Sequence, residues 1–139
     1  MKIYFAIKYH SDHQNRPKIE YVSNVLENLG CRVTCITRDI ENWGQESFCP
    51  EVLMKMTFEI IDSSDLVLID LTEKGVGLGI EAGYAFSKSK PIITISEKQE
   101  ISTTLNGISN RCLVYENESE LFEFFEKELI NQNLTNASG

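Results

Sequence analysis

The run Leu66-Val67-Leu68-Ile69 admits few environments. A strand with one solvated face alternates apolar and polar residues. An unbroken apolar run of this length needs cover on both faces, which is the position of a central strand in a parallel sheet. Parallel neighbours cannot be joined by a tight turn, so helices must supply the crossovers.

The remainder of the chain reads that way. Lys2–Ile7, rich in aromatic and β-branched residues, is a first strand. Pro17 suits a first helical turn; Ile19, Val22, Leu26 and Leu29 follow at helical spacing, and Gly30 closes the helix. Residues 31–37 read as a second strand, and Pro50 opens a helix carrying Val52, Leu53, Met56, Ile60 and Ile61. A glycine-rich turn precedes a helix expected over residues 79–88. Residues 91–95 and 112–115 read as the fourth and fifth strands, and Leu121, Phe124, Phe125 and Leu129 give the last helix its apolar stripe. The expected architecture is α/β: a doubly wound, flavodoxin-like, five-stranded parallel sheet with helices on both faces. Residues 1–130 form one domain, and the polar residues 131–139 are expected to be a disordered tail.

In such sheets ligands bind beyond the carboxyl ends of the strands. Three loops gather there: residues 8–16, residues 38–49, which hold the only tryptophan, and residues 70–79. A net charge of -8 is poorly suited to a nucleic-acid polymer, whose phosphates require a basic stripe. No stretch approaches the roughly 20 apolar residues of a membrane span, and the N-terminus reads as a strand rather than a signal segment. Cys31, Cys35, Cys49 and Cys112 form no ligand pattern. Within one strand Cys31 and Cys35 would stand ~13 Å apart, too far for a disulfide or a shared zinc. Free thiols in a cytoplasmic protein are expected. No metal is expected, since His10 and His13 alone are too few ligands.

The segment from Asp70 to Ala85 carries the chemistry. Gly75, Gly77 and Gly79 leave backbone N–H groups open to a ligand, and Glu81 follows in the opening turns of a helix. The positive end of that helix is expected to keep the carboxylate charged. An ionised carboxylate beside a bare glycine surface suits attack on the anomeric carbon of a sugar. By pattern alone, a glutamate near a helix start is often only a partner for the helix dipole. The spacing is G-x-G-x-G rather than the dinucleotide fingerprint G-x-G-x-x-G.

The run Asp65-Leu-Val-Leu-Ile-Asp, the segment Gly75-Val-Gly-Leu-Gly-Ile-Glu-Ala-Gly-Tyr-Ala and the later Lys90-Pro91-Ile92-Ile93 resemble the nucleoside 2-deoxyribosyltransferase family, which includes 2'-deoxynucleoside 5'-monophosphate N-hydrolases. The opening Lys2-Ile3-Tyr4-Phe5-Ala6 and the order of elements match as well, so the resemblance spans roughly residues 2–130. It implies that Glu81 is the nucleophile, that Tyr4 lies beside it, and that Ser102, before Asn106-Gly107, helps hold a 5'-phosphate in a neighbouring subunit's site. The substrate it implies is a small nucleoside or nucleotide. No cofactor is called for, and the assembly is a homodimer or larger homo-oligomer. An apolar helix face with Met54, Met56 and Phe58 points independently to association.

The departures from the family pattern are specific. Thr57 stands where the family usually has an aspartate, Gly75 stands where the transferases often have one, and Ile7-Lys8-Tyr9-His10-Ser11 replaces the hydrolases' glycine-rich loop. Lys8, His10, Ser11 and Arg16 are candidate phosphate ligands in that first loop, which favours a monophosphate substrate and hydrolysis. Tyr9, His10, Trp43 and Phe48 are candidates to grip the base, although loop aromatics more often anchor a loop to the core. Asp70 closes the central strand beside Gly75, Gly77 and Gly79 and joins the expected binding set. The substitution at Thr57 keeps open a non-catalytic nucleotide-binding module of the same fold. A flavin or dinucleotide oxidoreductase fits less well, because no acid stands at ribose-binding distance from a fingerprint.

Overall fold

The computed structural model describes residues 1–97 and 102–138. β1 (Lys2–Ile7), β2 (Arg32–Thr34), β3 (Leu66–Asp70), β4 (Ile92–Ser96) and β5 (Arg111–Val114) form one parallel sheet in the order β2-β1-β3-β4-β5. The helices are α1 (Arg16–Asn28), α2 (Pro50–Ser63), α3 (Val76–Ser87), the short α4 (Thr103–Asn106) and α5 (Ser119–Ser138). This is the flavodoxin-like, doubly wound arrangement expected from the alternation.

β3 and β4 are buried along their whole length. Successive side chains of a strand point to opposite faces, so each strand feeds both layers. Ile3, Phe5, Leu68 and Ile95 pack under α1 and α5 with Ile19, Leu26, Leu121 and Phe125. Tyr4, Ala6, Val67 and Ile69 face the other way, toward Ile61 of α2 and Leu78, Ala82 and Ala85 of α3. The alternation therefore puts Tyr4 on the α3 side of the sheet, in register with Val67 of β3.

Pro17 and Pro50 lie in the first turns of α1 and α2, where a missing N–H costs nothing. Gly30 has φ +91 just past the end of α1, a conformation that side chains with a Cβ rarely adopt. All four cysteines are free. No helix among the described residues is long and apolar enough to cross a membrane.

Two expectations need correction. β2 stops at Thr34, and Ile36–Ile40 winds into a wide π-helical turn. The Cys35 N–H donates to the Asp39 carboxylate at 2.8 Å, which draws the chain out of the sheet. α3 begins at Val76, so Gly77 and Gly79 belong to its first turns rather than to a turn before it.

Leu68 is 1% exposed in the middle of the central strand. Leu68→Ala should lower the unfolding free energy by about 3 kcal/mol through lost burial and a residual cavity, read from the urea midpoint.

Candidate active site

The chain adds β2 on one side of β1 and then crosses to place β3 on the other. Loops leaving the carboxyl ends of β1 and β3 diverge at this switch point and leave a crevice. A cavity of about 520 Å³ opens there. Tyr4, Ala6, Lys8 and Tyr9 supply its floor from β1 and the loop beyond. Cys35, Ile36, Thr37 and Glu41 form the β2 side, Leu53, Met54 and Thr57 come from α2, and Gly75, Gly77, Leu78 and Glu81 come from α3 and its N-cap.

The Tyr4 hydroxyl donates to Glu81 Oε1 at 2.8 Å, joining residues 77 positions apart in the chain. Tyr4 is 1% exposed. Burial first, and the Glu81 charge second, push its phenol well above the usual tyrosine range, so it remains a neutral donor. Glu81 is only partly exposed, and burial pushes its carboxyl up to about 7, with the Tyr4 hydrogen bond opposing the shift. The helix dipole does not keep it fully charged, as the sequence had implied. Desolvation outweighs the dipole six residues into the helix, because the dipole's influence fades beyond the first turn. Near neutral pH Glu81 therefore exists in both protonation states.

Thr57 lines the same cavity, 1% exposed, and its hydroxyl donates to the Leu53 carbonyl at 2.8 Å. The N–H groups of the first turn of α3 have no intrahelical acceptor, and Gly75, Val76 and Gly77 line the cavity together with Lys8. A side chain at Gly77 would meet nothing within 4 Å, so this entrance is bare.

The architecture occurs in solved structures. A CMP N-glycosidase from Clostridium botulinum, BcmB, superposes with TM-score 0.68 at 23% identity, covering 92% of this chain and 99% of that one. A 2-deoxyribosyltransferase from Bacillus psychrosaccharolyticus superposes with TM-score 0.72 at 19% identity, covering 88% and 90%. A conserved protein from Enterococcus faecalis V583 gives 0.70 at 14%, covering 92% and 98%. The chain has the fold of a 2-deoxyribosyltransferase. No protein-family model and no curated protein matches it by sequence, so the likeness is one of fold. The resemblance carried by the glycine–glutamate motif points to the same fold.

Within the deoxyribosyltransferase fold the expected site residues divide. Tyr4, Lys8, Gly75, Gly77 and Glu81 meet in the cavity. His10 and Asp70 line a second, smaller crevice of about 250 Å³, on the far side of Ile7 and Lys8. There His10 Nε2 lies 2.9 Å from Glu73, and buried Asp70 sits 3.9 Å from the Lys18 ammonium and accepts the Thr72 N–H at 2.9 Å. Arg16 is directed elsewhere: its guanidinium pairs with Glu20 at 2.9 Å and lies 4.3 Å over the Trp43 ring. Trp43 packs against the core below α1 and meets His13 edge-on, so it anchors its loop instead of facing the cavity. Ser11, Phe48 and Gly79 are exposed outside the cavity. Ser102 caps α4 by accepting the Leu105 N–H at 3.3 Å, and Asn106 accepts the Cys112 thiol at 3.0 Å; neither lines the cavity of its own chain.

Glu41, Ile36 and Leu53 line the site but were not singled out by pattern. Residues 38–49 do read as a functional loop, yet an aperiodic loop gives no signal of which side chain turns inward.

A carboxyl whose folded pKa lies above its unfolded value stabilises the fold below the unfolded pKa, and that contribution is lost as pH rises through the folded value. Glu81 should therefore destabilise the protein progressively between about pH 4.5 and pH 7. Glu81→Gln should be more stable than the parent at pH 8 by roughly 1–3 kcal/mol, with the gap closing toward pH 4.5. Urea melts at both pH values measure this, and an equal gap at both would contradict the burial-driven shift.

Proposed function

We propose that this chain cleaves the N-glycosidic bond of a nucleoside or nucleoside 5'-monophosphate, with Glu81 attacking the anomeric carbon. The observation that carries the reading is the Tyr4–Glu81 hydrogen bond inside a cavity at the switch point of the sheet. Tyr4 occupies one carboxylate oxygen and fixes the side chain, leaving the other oxygen directed at substrate. As the bond from C1' to the base nitrogen breaks, its electron pair leaves with the base, and the free Glu81 oxygen bonds to C1'. Water then cleaves that ester and restores the carboxylate. The acceptor is water in a hydrolase and a second base in a transferase. The fold shared with an N-glycosidase and a deoxyribosyltransferase supports this class of reaction.

A 5'-phosphate fits the mouth of the cavity, where the first-turn N–H groups of α3 and the Lys8 ammonium approach the same space. Lys8 is held only loosely by Glu73, at 3.8 Å, and can turn to a ligand. Arg16, committed to Glu20 and Trp43, takes no part. This favours a monophosphate and hydrolysis, in a cytoplasm that keeps the four thiols reduced.

The alternative is a nucleotide-binding module without turnover. It is favoured by Thr57, whose hydroxyl is tied to Leu53 and offers no acid at the place where the resembled family has one. Incubation with nucleosides and their monophosphates, followed by chromatography of free base, separates the readings. Under the enzymatic reading kcat/KM rises with pH around a midpoint near 7, following Glu81 ionisation. Glu81→Gln should reduce turnover at least ~1000-fold while still binding substrate. Lys8→Ala should erase a monophosphate preference of about 10-fold or more. Binding without release of base by the parent protein would leave only the module.

We also propose a homodimer or larger assembly. Met54 lines the cavity and Phe58 stacks on Tyr84 at 4.2 Å, so those side chains are used within the chain. On α3, Ile80 is 48% and Phe86 57% exposed, apolar surface that the chain itself does not cover. Ser102, which does not line its own chain's cavity, would serve a phosphate in a partner's site. Sedimentation at micromolar concentration should give at least twice the 15.8 kDa chain mass, and Ile80→Glu should shift it to the monomer.

A further inference from the structure

Resting on the reading of Glu81 above, we propose that Glu41 is the general acid that protonates the departing base. It is the second carboxyl group of the cavity, and it reaches the substrate space from the opposite direction to Glu81. In the order β2-β1-β3, Glu81 stands on the helix that follows β3, and Glu41 on the loop that follows β2, with Tyr4 of β1 between them. A nucleoside lying across β1 presents its sugar to one and its base to the other.

The backbone at Glu41 is held as firmly as a catalytic group requires. Its N–H donates to the Ile36 carbonyl at 2.9 Å, closing the π-helical turn, and its carbonyl accepts from Gly44 and Glu46 at 3.0 Å each. Its side chain is half-buried, yet the carboxyl group makes no hydrogen bond or ion pair with any described residue. A partly desolvated carboxyl that makes no hydrogen bond, on the wall of a cavity, is unusual as a purely structural element. The titratable groups around it are Tyr4, Lys8, Tyr9 and Cys35 in the cavity, Glu81 across it, and His13 behind the loop. Burial raises the Glu41 carboxyl above the ordinary glutamate range, with His13 opposing.

The chemistry needs such a group. Departure of a neutral base leaves an anionic ring nitrogen, and a proton delivered during bond cleavage removes that charge. The Thr57 hydroxyl is a poor acid and already donates to Leu53. Substrate sets the two carboxyl groups to different tasks. The base covers Glu41, strips its water and favours the protonated form, while the developing cationic centre at C1' keeps Glu81 ionised. The cycle balances: the Glu41 proton goes to the base, Glu81 takes C1', and the attacking water returns its proton to Glu41 as the ester opens.

The test compares Glu41→Gln and Glu81→Gln on the best-cleaved natural substrate and on its fluorinated analogue, with 5-fluoropyrimidine or 2-fluoropurine as the base. Fluorine lowers the basicity of the departing base, so less help from an acid is needed. Glu41→Gln should lose about 100-fold on the natural substrate but no more than ~10-fold on the analogue. Glu81→Gln should lose at least ~1000-fold on both. An equal loss on the two substrates in Glu41→Gln, or no loss on either, overturns the assignment of Glu41. Retained turnover in Glu81→Gln overturns the nucleophile instead, so the two failures are distinct. Thermal melts verify that Glu41→Gln folds, as expected for a side chain with no hydrogen bond to lose.

Discussion

The hydrogen bond from Tyr4 to Glu81 joins the first strand to the third helix, and much of the molecule is arranged so that it can form. It requires β1 to sit inside the sheet with Tyr4 turned toward α3. That follows from the pairing of β1 with both β2 and β3 and from the register of Tyr4 with Val67. A slip of one residue would send Tyr4 to the α1 face and turn Phe5 toward α3. The same register buries Ile3 and Phe5 under α1 and α5, so core packing and placement of the site are enforced together.

Burial then decides the electrostatics. Leu78, Ala82 and Ala85 press α3 against the sheet and bring Glu81 toward a wall of apolar side chains. There the loss of water raises its carboxyl more than one neutral hydrogen bond can lower it. A stronger donor, such as a cation, would hold the group ionised and make it a poorer nucleophile. Tyrosine positions the carboxylate without neutralising its charge, which suits the nucleophilic role proposed for Glu81.

The fold was legible because its signals are local. The apolar run at Leu66–Asp70, the prolines opening α1 and α2, and Gly30 past α1 each act through their own backbone. Glu81 and Tyr4 were legible through a motif. Other parts of the site were not. The inward turn of Glu41 depends on a π-helical turn stabilised by the Asp39 carboxylate at Cys35, a contact that no periodicity encodes. Arg16 read as a phosphate ligand from its place in the loop, but the Trp43 ring and Glu20 lie nearer to it than the cavity does. The start of α3 was placed late because glycine is a weak helix former. At Gly77 and Gly79 tertiary packing through Leu78 overrides that preference.

The distribution of cations shows how a chain with net charge -8 can still receive an anion. At the carboxyl edge Lys18 lies 2.6 Å from Glu97 and 3.9 Å from Asp70, while its ammonium stands 5.7 Å from the Tyr115 ring. Burial pushes the Tyr115 phenol far upward, with Asp70 and Glu97 adding to the shift, so this cluster is balanced internally. An anion entering it would have to displace a close ion pair and expose Asp70. Lys8 differs: its only ion partner among the described residues is the exposed Glu73, which already has a closer partner in His10. Turning Lys8 toward the cavity therefore strands no buried charge. The two crevices share Ile7 and Lys8, but only the larger one sets that movable cation beside the start of α3. The acidic surface around them repels anions in general, so the phosphate of the proposed substrate would have to reach that one place.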